Sequence, residues 1–380
     1  MKAVWEVKNL GDVCHLIGGG TPSKDNADFY TGYIPWATVR DMRSDVITDT
    51  EYKITESAIK NSSTNIIPSG SVIIATRVGL GKVCLLNQDT AINQDLRGIF
   101  PKDEEKLSTR FLFWWLKSVS HLIVAEGTGA TVQGVKLPFV KSLQIPLPPL
   151  PEQQRIVAIL DEAFEAIAAA RANADKNRQN ARALFESVLN SVEGKPAALG
   201  DYVTIKTGKL DANAAVEGGE YPFFTCSKEI YAIDKFAFDG EAILLAGNNA
   251  VGDFNVKHYR GKFNAYQRTY VITVNNEDLL LYRFLYFQML KSLKRFKEQS
   301  VGAGTKFLKL GMIKDLKISL PSPQEQIRLV SLLDSVLEET QRLESLYQRK
   351  IAALDELKQS LLQQAFSGQL DTTRVEVLTP

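Results

Sequence analysis

Three cysteines and three histidines in 380 residues leave few of the side chains on which catalysis and metal binding usually rest. Cys14, Cys84 and Cys226 lie far apart without CxxC spacing, which argues against a disulfide scaffold or zinc finger and points to a reducing, cytoplasmic setting. His15, His121 and His258 stand in no HxxH or HExxH pattern, so no metal site and no catalytic residue is assigned. Asp253 and His258 have no defined spacing to support an acid/base pair. RVGLGKV at Arg77 to Val83 fails as a phosphate loop, because Thr76 stands where the first Gly is needed and Val83 where Ser or Thr is needed. No GxGxxG follows a strand, which leaves a nucleotide cofactor without support. Long apolar runs are missing too: no stretch reaches about eighteen residues and MKAVWEVKNLGD has no export pattern, so no membrane is expected. Nor does either charge dominate. Lys and Arg number 45 against 44 Asp and Glu, for a net +1, so any nucleic-acid binding must rest on local basic surfaces.

What the chain does have is a repeat. LPPLPEQQRIVAILDEAF at Leu147 to Phe164 returns as LPSPQEQIRLVSLLDSVL at Leu320 to Leu337, with no gap and an offset of 173 residues. At the same offset RFLFW at Arg110 answers RFLYF at Arg283, and KSLQIPLP answers KDLKISLP. The front parts agree only faintly, as in IPWAT at Ile34 against YPFFT at Tyr221. Those fronts read as strands and loops with one aromatic helix that belongs to the core, and the Gly-rich GTGAT at Gly127 and VGAGT at Val301 read as turns beside it. The length suits two or three domains, divided as 1–145, a helix over 146–194, 195–318, a second helix over 319–370, and a tail over 371–380.

Each repeated stretch opens a long helix. Pro151 and Pro323 suit a first turn, Glu152 and Glu325 complement the helix dipole there, and Gly194 and Gly368 mark the ends. Alternating steps of four and three predict a seam at Ile156, Leu160, Ala163, Ile167, Ala170, Ala174, Asn177, Ala181, Leu184 and Val188. The second copy predicts Leu329, Leu333, Val336, Thr340, Leu343, Tyr347, Lys350, Leu354, Leu357 and Leu361. A narrow, Ala-rich seam suits a Leu-rich one, so the helices are expected to pair with each other, as rods about 60 Å long. The expected fold class is α+β: two mixed α/β domains separated by two long helices in an antiparallel coiled coil, with an internal pseudo-twofold repeat.

Two domains and two matched rods suggest a ruler, each domain reading something and the rods fixing the distance. Side chains suited to a DNA major groove lie in the divergent parts: Arg40, Arg43, Arg77, Lys82, Asn93 and Gln94 in the first, with Arg97 nearby. The second offers Asn248, Asn249, Lys257, Arg260, Lys262, Gln267 and Arg268, with Asn264 nearby. Other uses of the architecture are a scaffold joining proteins without reading DNA, or a self-contained DNA-modifying enzyme.

IPLPPLPEQQRIVAILD, ISLPSPQEQIRLVSLLD, the closing SLLQQAFSGQL, the opening WEVKNLGDVCHLIGGGTPSK, GYIPWATVRD and SVIIATRVGLGKV followed by INQDLRGI together resemble the specificity subunit of type I restriction-modification systems, across essentially the whole chain. The resemblance implies a non-catalytic subunit whose two target recognition domains each read half of a bipartite double-stranded DNA site. It implies helices that act as spacer and dock two modification subunits, with restriction subunits in the full complex. S-adenosylmethionine, ATP and Mg then belong to the partners, in keeping with the lack of an NPPY-like motif here. Pro151, Glu152, Gln153, Arg155, Glu325, Gln326 and Arg328 match the repeated pattern and are expected to serve helix starts and partner docking. Gln324 replaces the first copy's proline, and FFTCS stands where the first half has WATVR, leaving the second reading loop open.

Overall fold

A computed structural model describes residues 5–128 and 134–373. Residues 129–131 of GTGAT and the last residues of the expected tail, 374–380, lie outside them. The chain divides into two compact units, one of residues 1–173 with 350–380 and the other of 174–349. The boundary therefore falls inside both long helices, Leu150–Asn190 and Pro323–Phe366, not at their ends.

In the first unit Glu6–Asn9 pairs antiparallel with Gln144–Leu147. One sheet orders Cys14–Gly18, Leu96–Pro101, Val72–Ala75, Val83–Leu86 and Val46–Ile47, and a second orders Tyr52–Ile54, Ile34–Ala37, Thr90–Ile92 and Asn65–Ile67. The second unit pairs Lys195–Ala198 with Lys317–Leu320 and gathers Val203–Thr207, Thr269–Val274, Phe238–Ala246, Val256–Ala265, Tyr221–Phe224 and Tyr231–Ile233 into one six-stranded sheet. The difference is local. A long hairpin runs unbroken in the second unit as Phe238–Ala246 against Val256–Ala265. In the first it is interrupted between Ile67 and Val72, where Pro68 removes a donor and Gly70 takes a φ of +81° that favours glycine.

Each core is capped by one aromatic helix and by half of each long helix. Phe111, Phe113, Trp114 and Trp115 are buried with Ile156, Leu160, Phe164, Leu362 and Ala365 in the first unit; Phe284, Phe287 and Phe296 are buried with Phe185, Leu189 and Leu333 in the second. The long helices are thus part of both units' cores as well as connections between them. Their segments run antiparallel within each unit. In the first, Arg171 bonds to Asp355 while the Lys358 ammonium sits over Phe164. In the second, Arg178 meets Gln348 and Arg182 meets Glu344, four residues up one helix against four down the other.

The seam differs from the expected one. Phe164, not Ala163, continues the line from Ile156 and Leu160, and Phe185 rather than Leu184 follows Ala181; Leu184 is 61% and Leu357 47% exposed. Asn177 and Lys350 are exposed, so no polar pair interrupts the seam; Ile351 is buried one residue on. The cause is geometric: an α-helix turns every 3.6 residues, so a strict four-three alternation drifts off the buried face until two steps of four restore it. Phenylalanine at the restoring positions fills the wider gap against the aromatic helix, where Phe164 and Trp114 centroids lie 4.6 Å apart.

Candidate nucleic-acid interface

The repeated PEQ element first shows what its residues are for. Gln153 is fully buried; its Oε1 accepts from the Ser108 N–H at 2.9 Å, and its Nε2 donates to the carbonyls of Lys106 and Pro148 at 2.8 and 2.9 Å. Gln326 repeats this with Leu281 N–H at 3.0 Å and the Leu279 and Pro321 carbonyls at 2.8 and 3.1 Å. Ser108 and Leu281 precede the two aromatic helices, Thr109–Ser118 and Tyr282–Gln299, so each glutamine ties the start of a long helix to the start of an aromatic one. Burial removes Gln153 and Gln326 from partner docking, which corrects the expectation for these two. The closing Leu-Asp is explained likewise: Asp161 accepts from Arg110 at 2.6 Å and from the Trp114 indole at 2.7 Å, and Asp334 from Arg283 at 2.8 and 2.5 Å. Arg155 and Glu152 are half-buried and lie 3.3 Å apart, Glu152 also accepting from the Thr372 hydroxyl at 2.7 Å, while Arg328, exposed, bonds bidentately to Glu325 and Pro151 is exposed.

At the far ends of the sheets, the two units build one loop framework from different residues. Ile34–Ala37 runs parallel to Thr90–Ile92 through Trp36↔Ala91 and Ala37↔Ile92, as Tyr221–Phe224 does to Val256–Ala265 through Phe223↔Asn264 and Phe224↔Ala265. Asn93 N–H donates to Ala37 O at 3.0 Å and Tyr266 N–H to Phe224 O at 2.9 Å. Thr76 N–H reaches Asp95 O and Gly247 N–H reaches Arg268 O, both at 2.9 Å. Even the loop left open by FFTCS is matched: Thr38 Oγ1 accepts from Arg40 N–H at 3.2 Å and Thr225 Oγ1 from Ser227 N–H at 3.1 Å. Backbone bonds between strand ends and short side-chain caps set these turns, so the other side chains on them are free to differ. The framework pairs Arg40 with Ser227, Arg77 with Asn248, Gln94 with Gln267, and Asp95 with Arg268.

Several expected readers are consumed by this framework. Asn93 is 6% exposed, its amide donating to the Asp95 carboxylate at 3.1 Å and accepting from the Asp95 N–H. Asn264 is buried and donates to Lys235 O. Lys257 gives its ammonium to Ser227 O and Asn255 Oδ1, both at 2.6 Å, and burial holds its pKa below the ordinary lysine value. Asn249 accepts from the Val251 and Asp253 N–H groups and so shapes its own turn. These four fix loops instead of facing a groove. Asp253 itself pairs with Lys228 at 2.9 Å and His258 with Glu241 at 2.7 Å, so they form no acid/base couple.

Others remain presented. In the first unit Arg40 and Gln94 line a cleft of about 860 Å³ with Thr21, Lys24, Trp36 and Tyr52. Arg40 approaches Glu51 at 3.7 Å, Arg77 approaches Asp95 at 3.7 Å, and Gln94 accepts from Thr21. Arg97 supports this turn by donating to Gln94 O and Leu96 O, and burial followed by the neighbouring Arg77 charge lowers its pKa. Arg43 and Lys82 sit apart, around a second cleft with Lys117 and Gln359. In the second unit Gln267 donates to Asp211, Arg268 lies over the Phe307 ring at 5.2 Å, and the Asn248 Oδ1 is a buried acceptor without a partner. Arg260, near Glu241, and Lys262, over the Phe236 ring at 4.7 Å, lie towards the opposite end of the long hairpin. The second unit's candidates, continuous in sequence, thus fall into two groups in space.

Sequence reasoning also passed over a basic segment. From Lys291 to Lys317 the chain carries eight Lys or Arg against Glu298 and Asp315 alone, a local excess that the net +1 conceals. A charge count in a sliding window finds it.

A family described as "Type I restriction modification DNA specificity domain" matches residues 3–174 and again 192–352. The chain is 40% identical over 179 residues to the EcoDI specificity subunit of Escherichia coli, a match spanning 47% of this chain and 39% of that protein. It thus spans about two fifths of the length of such relatives, although a match to the EcoprrI specificity subunit of Escherichia coli, at 25% identity, covers 86% of both. The fold is similar to a chain in a structure of a type I restriction-modification system, with a TM-score of 0.77 at 20% identity over 96% of this chain and 98% of that one. It is also similar to the HsdS subunit of Thermoanaerobacter tengcongensis, with a TM-score of 0.57 at 20% identity over 96% and 97%. The doubled family match, the paired long helices and the twice-built loop framework agree: the chain belongs to the type I restriction-modification DNA specificity family, with two target recognition domains.

Proposed function

We propose that this chain is the non-catalytic subunit that selects a bipartite double-stranded DNA site, each unit reading one half. The observation that carries the reading is the loop framework built twice, with Gln94 and Gln267 alike but Arg40 matched by Ser227, Arg77 by Asn248 and Asp95 by Arg268. A fixed backbone holds Arg77, Gln94 and Arg40 in one unit and Asn248, Gln267 and Arg268 in the other. Arg recognises guanine O6 and N7, and Asn or Gln recognises adenine N6 and N7, so different side chains on one frame read different letters.

The paired helices act as the spacer and offer Glu152, Arg155, Glu325 and Arg328 as docking surface for two modification subunits, with restriction subunits joining the full complex. S-adenosylmethionine, ATP and Mg serve those partners. The same reading gives the chain a cytoplasmic location, alongside the genome. Among the described residues, no helix is long and apolar enough to cross a membrane. The test is methylome sequencing of cells that express the chain with its modification subunits. Two half-sites separated by a fixed gap are expected; a single contiguous site would overturn the reading.

A further inference from the structure

The basic segment of the second unit stands beside its loop framework. Lys294, Arg295 and Lys297 are exposed on the last turns of the aromatic helix Tyr282–Gln299. A β-carbon placed on Gly252 would lie 3.3 Å from Lys297 Cγ and 3.4 Å from Lys306 Cγ, and Asn249 pairs with Lys306 in a short two-stranded sheet. The Lys297 and Lys306 side chains therefore rise beside the turn that carries Asn248, with Lys294 and Arg295 exposed on the same helix end. The first unit has the same construction with other contents. At the 173-residue offset the three cations become His121, Leu122 and Val124, the last two 41% and 50% exposed. The equivalent glycine contact is kept: a β-carbon on Gly81 would lie 2.7 Å from Val124 Cγ2. Of the cations near that loop, Arg40, Arg77 and Lys117 are neutralised locally by Glu51, Asp95 and Asp45, while Arg43 and Lys82 bond to the backbone carbonyls of Arg40 and Met42.

We propose that the second unit carries a phosphate-gripping ridge of Lys294, Arg295, Lys297 and Lys306 that the first unit lacks, so that the sequence-independent hold on DNA comes mainly from one of the two recognition units. This rests on the reading of the chain as a DNA-selecting subunit. Phosphate binding releases counterions and carries no sequence information, so the ridge sets affinity and salt dependence and leaves the letters to the loops. The helix end gives the ridge a rigid base, since Phe296 is fully buried beneath it.

The test is fluorescence anisotropy of the full chain with a labelled duplex of arbitrary sequence through a KCl titration. The triple variant Lys294→Gln, Arg295→Gln, Lys297→Gln is expected to flatten the log K against log salt slope by ~2–3, at about 0.9 for each phosphate left unneutralised. A control triple of first-unit cations, Arg40→Gln, Arg43→Gln, Lys82→Gln, should flatten it by less than half as much. Glu298→Lys should steepen the slope, a gain that misfolding cannot imitate. An unchanged slope in the second-unit triple, or equal flattening by both triples, overturns the ridge and leaves the two-domain reading standing. A wild-type chain with no salt-dependent hold on the duplex overturns the ridge together with direct DNA binding by this subunit. An unchanged slope combined with loss of a co-purifying acidic protein would assign the ridge to that protein and overturn the proposal.

Discussion

Gln153 and Gln326 each satisfy three backbone groups that would otherwise be buried without partners. Replacing either with alanine strands those groups, and a loss of about 1–3 kcal/mol per site is expected from chemical denaturation. A variant as stable as the parent would contradict the clamp. Gln267→Ala should instead leave stability unchanged and relax one position of one half-site, because a bidentate contact discriminates by about 1–3 kcal/mol; unaltered methylation sites in that variant would count against Gln267 as a reader. The thiols offer a pH test. Burial pushes Cys14 up to about 12 and Cys84 up to about 11, so both stay protonated and unreactive as pH rises through neutrality. Ellman titration of the native chain at mildly alkaline pH should count the half-buried Cys226 alone, and all three thiols after denaturation. Rapid reaction of more than one would show that the cores open. At this scale the sequence offered residue types without their duties. Nothing in INQD or NAYQR says that Asn93 bonds inward while Gln94 faces the cleft, because that choice is made by the parallel pairing with a strand more than forty residues away.

At the scale of elements, the long helices were legible because their pattern extends over many turns, while their seam was not. Position 163 or 164, and 184 or 185, differ by one residue and 100° of helix face, and only packing against the aromatic helix decides between them. Leu184→Lys is therefore expected to cost less than about 0.5 kcal/mol, whereas Phe185→Ala should cost about 3–5 kcal/mol through the cavity it opens. Thermal or denaturant unfolding of the two variants separates the seams: similar destabilisation would restore the original register. The Leu-Asp that closes the repeated motif was visible but unexplained in sequence. Its partners Arg110 and Arg283 lie 51 residues upstream, a pairing that becomes apparent only when the aromatic helix docks.

For the whole molecule, the duplication was the most readable feature and the unequal charge of its halves the least. Net charge averages over the chain, and a repeat is defined by what its halves share, not by a difference such as Lys294 against His121. The central claim is that the units choose the letters while the paired helices choose the gap. The direct measurement inserts one heptad into each long helix, after Asn173 and after Arg349, so that added turns face each other and the seam keeps its register. Methylome sequencing of the variant with its modification subunits should then return the same two half-sites with a longer gap between them. The same gap with the same half-sites, or altered half-sites, would contradict the account.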